Sequence, residues 1–229
     1  KSSLKLDLFS LNCVALEMKK MKVAIFGGSF NPPTVAHLSV GNSVLKAGFA
    51  KVVFVPCGFR EDKKNFASNA HRWNMMQLAL KDSFGQSFTT SLTAENSFSL
   101  VLDDRELKGD RMVPTGLLMQ QYMQEFPSMD FHFVIGADLL DDLSSWGYYE
   151  SILSKLNFVV LGRDGVRPKP SQLLNKSIWI DSNLHVSSTR VRQILEIKEK
   201  SEEEKYELEK LVTPSTLSYI QEHQLYLLS

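Results

Sequence analysis

From Lys22 onward the chain alternates short apolar runs with helical patterns, and this alternation constrains the fold more than any other feature. Val23–Phe26 stops at Gly27-Gly28, and a helical pattern runs from Ala36 to Lys46 with Gly48 placed to cap it. Lys51–Val55 is a second β-branched run closed by Pro56, followed by helical spacing over His71–Leu80. Ser99–Leu102, Phe131–Ile135, Asn157–Leu161 and Ile178–Ile180 read as further strands, and Thr115–Gln124 and the segment ending at Ile152–Lys155 as helices. Residues 84–98 read as an irregular connection. Strands this short and apolar are buried on both faces, which predicts an α/β, doubly wound (Rossmann-like) parallel sheet with helices on both faces. Right-handed crossovers gather the strand C-termini on one edge, so residues just after strands are the candidates for chemistry.

The tail is helical. Glu196–Lys210 is charge-rich, with Glu196 and Lys200 four apart on what reads as a solvated face, and Thr213-Pro214 opens a last helix to about Gln224. Residues 1–20 lack a continuous apolar core and read as a leader or extension outside the fold, leaving 21–229 as one domain with C-terminal helices. The 26 basic and 26 acidic residues cancel, so any anion site must be local, and neither nucleic acid nor membrane is an expected partner. Cys13 and Cys57 fit no metal spacing or disulfide framework. No apolar run approaches the ~20 residues of a membrane span. A cytoplasmic protein is the expectation.

Two strings carry chemistry. The first, Gly27-Gly28-Ser29-Phe30-Asn31-Pro32-Pro33-Thr34-Val35-Ala36-His37, follows the first strand directly. Its glycines let backbone N–H groups approach a phosphate, and His37 stands where a helix N-terminus favours an anion. Gly-Gly alone would be an ordinary turn and His37 an ordinary helix cap. Neither GxGxxG nor GxxxxGK[ST] is present, which excludes the dehydrogenase and P-loop fingerprints. The second string, Val186-Ser187-Ser188-Thr189-Arg190-Val191-Arg192, follows the last strand and opens a helix. Ser-Ser-Thr alone is a common helix cap. With an arginine fork it becomes a second anion site, expected at the opposite strand end from His37 and gripping different phosphates.

The first string resembles the (H/T)xGH signature and the second the ISSTxxR signature of the nucleotidyltransferase superfamily. Within it the chain looks most like the nicotinate/nicotinamide mononucleotide adenylyltransferases. Pro56-Cys57-Gly58, Lys63-Lys64 and His71-Arg72-Trp73-Asn74-Met75-Met76 are similar to that family's mononucleotide-side loop and helix. Gly136-Ala137-Asp138 matches a Gly-x-Asp whose aspartate binds the adenosine ribose, Trp146 matches a pyridine-stacking tryptophan, and Tyr219–Tyr226 resembles the family's ending. Thr34 stands where many members carry a second histidine, and Val113-Pro114-Thr115 keeps only the threonine of a Ser-Tyr-Thr loop.

The resemblance implies adenylyl transfer from ATP to nicotinate or nicotinamide mononucleotide, in NAD biosynthesis, with nicotinate mononucleotide favoured. His37 and Arg192 would be catalytic. Gly27, Gly28, Ser29, Phe30, Thr34, His37, Gly136, Asp138, Ser188, Thr189 and Arg192 would bind ATP, and Ser29, Lys63, Thr115 and Trp146 the mononucleotide. Trp146 as a plain core aromatic and Lys63 as plain surface charge are the competing readings. His71, His132 and His185 show no ligand spacing, so no protein-bound metal is expected and Mg²⁺ would arrive on ATP. A homo-oligomer is compatible with the resemblance. The alternatives are a sister adenylyl- or cytidylyltransferase, such as a phosphopantetheine adenylyltransferase, and a catalytically silent nucleotide-binding protein.

Overall fold

A computed structural model describes residues 20–60, 65–94, 99–109, 111–150, 156–162, 177–181 and 187–227. The assignment of residues 1–19, the helix ending at Ile152–Lys155, and Lys63 and His185 lie outside these residues.

The strands are β1 (Met21–Gly28), β2 (Lys51–Pro56), β3 (Phe88–Thr89), β4 (Leu100–Leu102), β5 (Met129–Gly136), β6 (Asn157–Gly162) and β7 (Ser177–Asp181). The helices are α1 (Val35–Lys46), α2 (Asn69–Phe84), α3 (Thr115–Glu125), α4 (Ser188–Glu196), α5 (Glu202–Leu211) and α6 (Pro214–Glu222). All strand pairs are parallel, in the order β3-β4-β2-β1-β5-β6-β7. The direction of winding reverses between β1 and β5. Pairing of those two strands ends at Ile25 with Phe133, while β1 continues to Gly28 against Pro56 and β5 to Gly136 against Leu161. The two central strands therefore part over their last residues, opening a crevice at the topological switch point where open α/β sheets bind ligands.

Alternation along the strands divides the core. Ile25, Val53, Phe131, Phe133 and Ile135 pack on one face with Leu118, Met119 and Tyr122 of α3. Ala24, Val52, Phe54, Leu100 and Val134 pack on the other with Leu38 and Val44 of α1 and Met76 and Leu80 of α2. Gly41 lets α1 lie close to the sheet, because a Cβ there would fall 2.7 Å from the buried ring of Phe54. A third cluster joins Met75 of α2 to Val191, Ile194, Leu208, Val212 and Ile220 of the C-terminal helices. Adjacent residues Met75 and Met76 thus face different partners, and α2 ties the tail to the sheet.

Three local expectations need correction. The 84–98 connection contains β3, a two-residue edge strand too short to show a periodicity. The stretch 196–210 is not one helix: α4 ends at Glu196, and α5 starts after Ser201, whose side chain accepts from Glu204 N while Glu204 returns to Ser201 N. Lys200 does not pair with Glu196. It donates to the carbonyls of Leu195 and Ile197, while Glu196 accepts from Asn65. Gly48 follows the cap residue Ala47 with φ of 90°, a conformation that suits glycine.

His132 on β5 is a buried core residue. Its ring lies edge-on to Phe49 at 5.0 Å, Nε2 meets Asp130 Oδ2 at 3.1 Å, and Nδ1 finds no hydrogen-bond partner among the described residues. Burial holds its pKa below the ordinary value, against the opposing pull of Asp130. The unfolded chain therefore takes up the proton first, near the usual histidine pKa of ~6.5. Neutral His132 supports the fold above that value, and its contribution is lost as pH falls through it towards the lowered folded value. The melting temperature is expected to fall between about pH 7.5 and pH 5.5, and more shallowly in His132→Leu; equal slopes in thermal scans would remove His132 as the cause.

Candidate active site

The loop from β1 to α1 reverses sharply at Phe30, whose φ is 43°. Its ring folds back over Gly28, where a Cβ would stand 3.0 Å from the ring, and joins Phe26 and Phe54 in the core. Only glycine fits at position 28 without displacing that ring. Phe30 is 1% exposed, so it can offer a ligand only its backbone.

Thr34 caps α1, and His37 is the third helical residue. His37 Nδ1 lies 3.0 Å from Thr34 N and 2.8 Å from Thr34 Oγ1, and both can donate to it. In the neutral ring this places the proton on Nε2, an assignment inferred from the donors rather than seen. Phe30 packs edge-on to the imidazole at 5.0 Å and fixes its plane. The helix-cap role and the functional role of His37 are therefore compatible: one nitrogen caps, and the other carries the donor. Thr34 is 1% exposed, so its hydroxyl serves His37 rather than a ligand directly.

Asn31 is the hub of the loop and is 2% exposed. Its Nδ2 donates to Asn65 O at 3.0 Å, and its Oδ1 accepts from Ala67 N at 3.0 Å and from Tyr226 Oη at 2.7 Å. Its carbonyl accepts from Arg192 Nη1 at 2.7 Å, while Arg192 Nη2 donates to Thr189 Oγ1 at 3.2 Å. Ser188 Oγ donates to Pro32 O at 2.8 Å. The second motif consequently docks against the first, on the same edge of the sheet, and not at the opposite strand end as the sequence led us to expect. Parallel strands with right-handed crossovers leave it no other edge.

Arg72 of α2 is wholly buried and braces the other flank. It donates to Ser29 O at 3.0 Å, Ala67 O at 3.2 Å and Asn69 Oδ1 at 2.6 Å, and its guanidinium lies 4.4 Å from the Phe66 ring centre. Burial lowers its pKa, although the groups around it favour the charged form. Cys57, at the end of β2, donates weakly to Ser29 Oγ at 3.8 Å, and burial pushes its thiol pKa up.

Across the crevice, Gly136 ends β5 and Asp138 is exposed just beyond it. The Asp138 carboxylate folds back over Gly136, and a Cβ at that position would push it aside. Thr115 opens α3, and its neighbour Pro114 approaches Gly147, the residue after Trp146. Trp146 is half-buried and packs edge-on to Phe133 at 6.3 Å, so one edge of the indole serves the core.

The described site residues therefore fall into three groups along the strand ends. Gly27 to His37 form one with Ser188, Thr189 and Arg192; Gly136 and Asp138 form the second; Thr115 and Trp146 form the third. Asn31, Arg72 and Tyr226 were missed as site-forming residues. The signal for Asn31 was its place between two motif elements, and Arg72 was visible as a cation inside an apolar helical pattern.

Asn31→Ala would strand the buried Tyr226 hydroxyl and remove the partner of the part-buried Ala67 N and Asn65 O. We expect a loss of about 2–4 kcal/mol in denaturant unfolding. A loss under about 1 kcal/mol would mean that water replaces the side chain without penalty.

Residues 25–194 match the Cytidylyltransferase-like family. A probable nicotinate-nucleotide adenylyltransferase of Listeria innocua is 30% identical over 211 residues, covering 90% of this chain and 98% of the relative. The nicotinate-nucleotide adenylyltransferase of Bacillus subtilis is 28% identical with the same coverage. Among solved structures, the Plasmodium falciparum nicotinic acid mononucleotide adenylyltransferase complexed with NaAD superposes with a TM-score of 0.71 at 25% identity, covering 90% of this chain and 97% of that one. With both motifs on one sheet edge and a match from β1 to α4, this chain belongs to the nicotinate-nucleotide adenylyltransferases of the cytidylyltransferase-like family.

Proposed function

We propose that the protein transfers the adenylyl group of ATP to nicotinate mononucleotide, forming the dinucleotide and releasing pyrophosphate. The observation that carries this reading is the docking of the Ser188–Arg192 helix start onto the Asn31-Pro32 backbone, which gathers two anion-binding elements at the parted ends of β1 and β5. Family membership supplies the substrate class. The crevice suits a long ligand with phosphates near β1 and a ribose near Asp138.

An oxygen of the mononucleotide 5′-phosphate attacks the α-phosphorus, a new P–O bond forms, and the bond from the α-phosphorus to the bridging oxygen breaks. Pyrophosphate leaves with that electron pair. The nucleophile is already an anion, so no base is required, and catalysis consists of positioning and charge stabilisation. His37 Nε2–H donates to the α-phosphate as charge develops. Arg192, with Ser188 and Thr189 at the start of α4, holds the β- and γ-phosphates, and the backbone of Gly27 to Phe30 approaches the triphosphate from the other side. Asp138 accepts from the adenosine ribose hydroxyls. Ser29 and Lys63 take the mononucleotide phosphate, and Thr115 and Trp146 the pyridine. Mg²⁺ belongs with the triphosphate, where phosphate oxygens and water satisfy its preference.

The assay is pyrophosphate release with MgATP and either nicotinate or nicotinamide mononucleotide. Turnover with nicotinate mononucleotide, at a higher kcat/KM than with the amide, is the expected result. No turnover with either would refute the reading and favour a silent nucleotide-binding protein, and turnover with phosphopantetheine instead would favour a sister enzyme.

Two substitutions test the roles. His37→Ala is expected to lower kcat by about 10²–10³, the scale for one lost transition-state donor, while stability falls by only about 1 kcal/mol for the lost cap. Activity within a fewfold of wild type would remove His37 from the chemistry. Arg192→Lys keeps the charge but cannot span Asn31 O and Thr189 Oγ1 together. It should raise KM for ATP by about tenfold, the worth of one charge-assisted hydrogen bond, and leave mononucleotide KM nearly unchanged. Equal rises for both substrates would make Arg192 a support of the loop only.

A further inference from the structure

Glu106 lies between β4 and α3, is 3% exposed, and has no part in either motif. A buried carboxylate is costly unless its oxygens are used. One of them is used twice. Glu106 Oε2 accepts from Gly58 N at 3.3 Å and from Val113 N at 3.1 Å.

These two amides belong to different segments. Gly58 leaves β2 on the side of Ser29 and Arg72, whereas Val113 stands two residues before Thr115 in the approach to α3. The segments touch through their backbones: a Cβ on Gly58 would fall 2.5 Å from Arg111 O. Apolar packing cannot fix two backbones at that distance, but a shared acceptor can. The helix's own ladder begins at Leu118 N, which donates to Pro114 O. Pro114 has no N–H and Val113 N–H is taken, so beside the apolar packing of α3 on the sheet, Glu106 is the hydrogen-bonded link between the α3 start and the β2 exit. Pro114 in turn approaches Gly147 beside Trp146. Behind the carboxylate, burial raises the Glu106 pKa while the Arg72 charge draws it down.

We propose that Glu106 is a positioning residue for mononucleotide binding, setting the distance between the β2 exit and the Thr115–Trp146 side of the crevice. The proposal rests on the adenylyl-transfer reading above. What the site needs from Glu106 is a hydrogen-bond acceptor at a fixed reach, and a negative charge is not required. Glutamine supplies the same oxygen at the same length. Aspartate supplies charge but retracts the oxygen by one methylene, and alanine supplies neither.

The test measures KM for both substrates and kcat in Glu106→Gln, Glu106→Asp and Glu106→Ala, together with direct calorimetric binding of nicotinate mononucleotide without ATP. Folding is checked by thermal scans. Glu106→Gln should remain within about threefold of wild type, and the other two should raise mononucleotide KM and Kd by about tenfold or more, with ATP KM within about twofold. Should Glu106→Ala fail to fold, the contrast between Gln and Asp decides. Loss in Gln equal to that in Asp would overturn the proposal, as would parallel rises in both KM values or unchanged binding in Asp. Wild-type protein that neither turns over nor binds the mononucleotide would instead refute the functional reading on which the proposal stands.

Discussion

Asn31 is shut away from water, so each polar atom of its side chain must be answered within the protein. The answers come from Asn65 and Ala67 ahead of α2 and from Tyr226 beyond α6, while its carbonyl answers Arg192 on α4. Three distant stretches of chain are fixed relative to β1 by one residue. The glycines at 27 and 28 allow backbone to approach a phosphate, but they cannot by themselves hold the loop in a single shape. The loop's shape comes from the polar contacts behind it, and those contacts are what align His37 with the start of α4.

The site divides into two halves with different kinds of support. The phosphate half is held by side chains on backbone carbonyls: Arg192 and Ser188 on residues 31 and 32, and Arg72 on Ser29 and Ala67. The pyridine half is held by a carboxylate on backbone amides, Glu106 on Gly58 and Val113. Cations grip carbonyls on one flank and an acceptor grips amides on the other.

The sheet was legible because strands buried on both faces read as apolar runs, and because Gly27-Gly28, Pro56 and Gly136 end three of them. The two motifs were legible for the same reason, since they stand where those runs stop. Three things were hidden. β3 is too short to show alternation. The break between α4 and α5 was masked by continuous charge, although Ser201 with Glu204 already spelled a capping box. Asn31 stood between two motif elements, but its partners, like Tyr226's and the Gly58 partner of Glu106, are far away in the chain, and no local spacing reports such partners. Placing the second motif at the opposite end was an error of topology, since in a wholly parallel sheet every strand exit opens on the same edge.

The hydrogen bond from Tyr226 to Asn31 joins residues separated by 195 positions. During synthesis the glycine turn, His37 and the first two strands are made well before the group that completes the Asn31 cage. At about 5–20 residues per second the interval is roughly 10–40 s. Both central strands, β1 and β5, are complete within that interval while the nucleotide loop still lacks its final latch, so the nascent chain can begin to fold before it can hold its ligand.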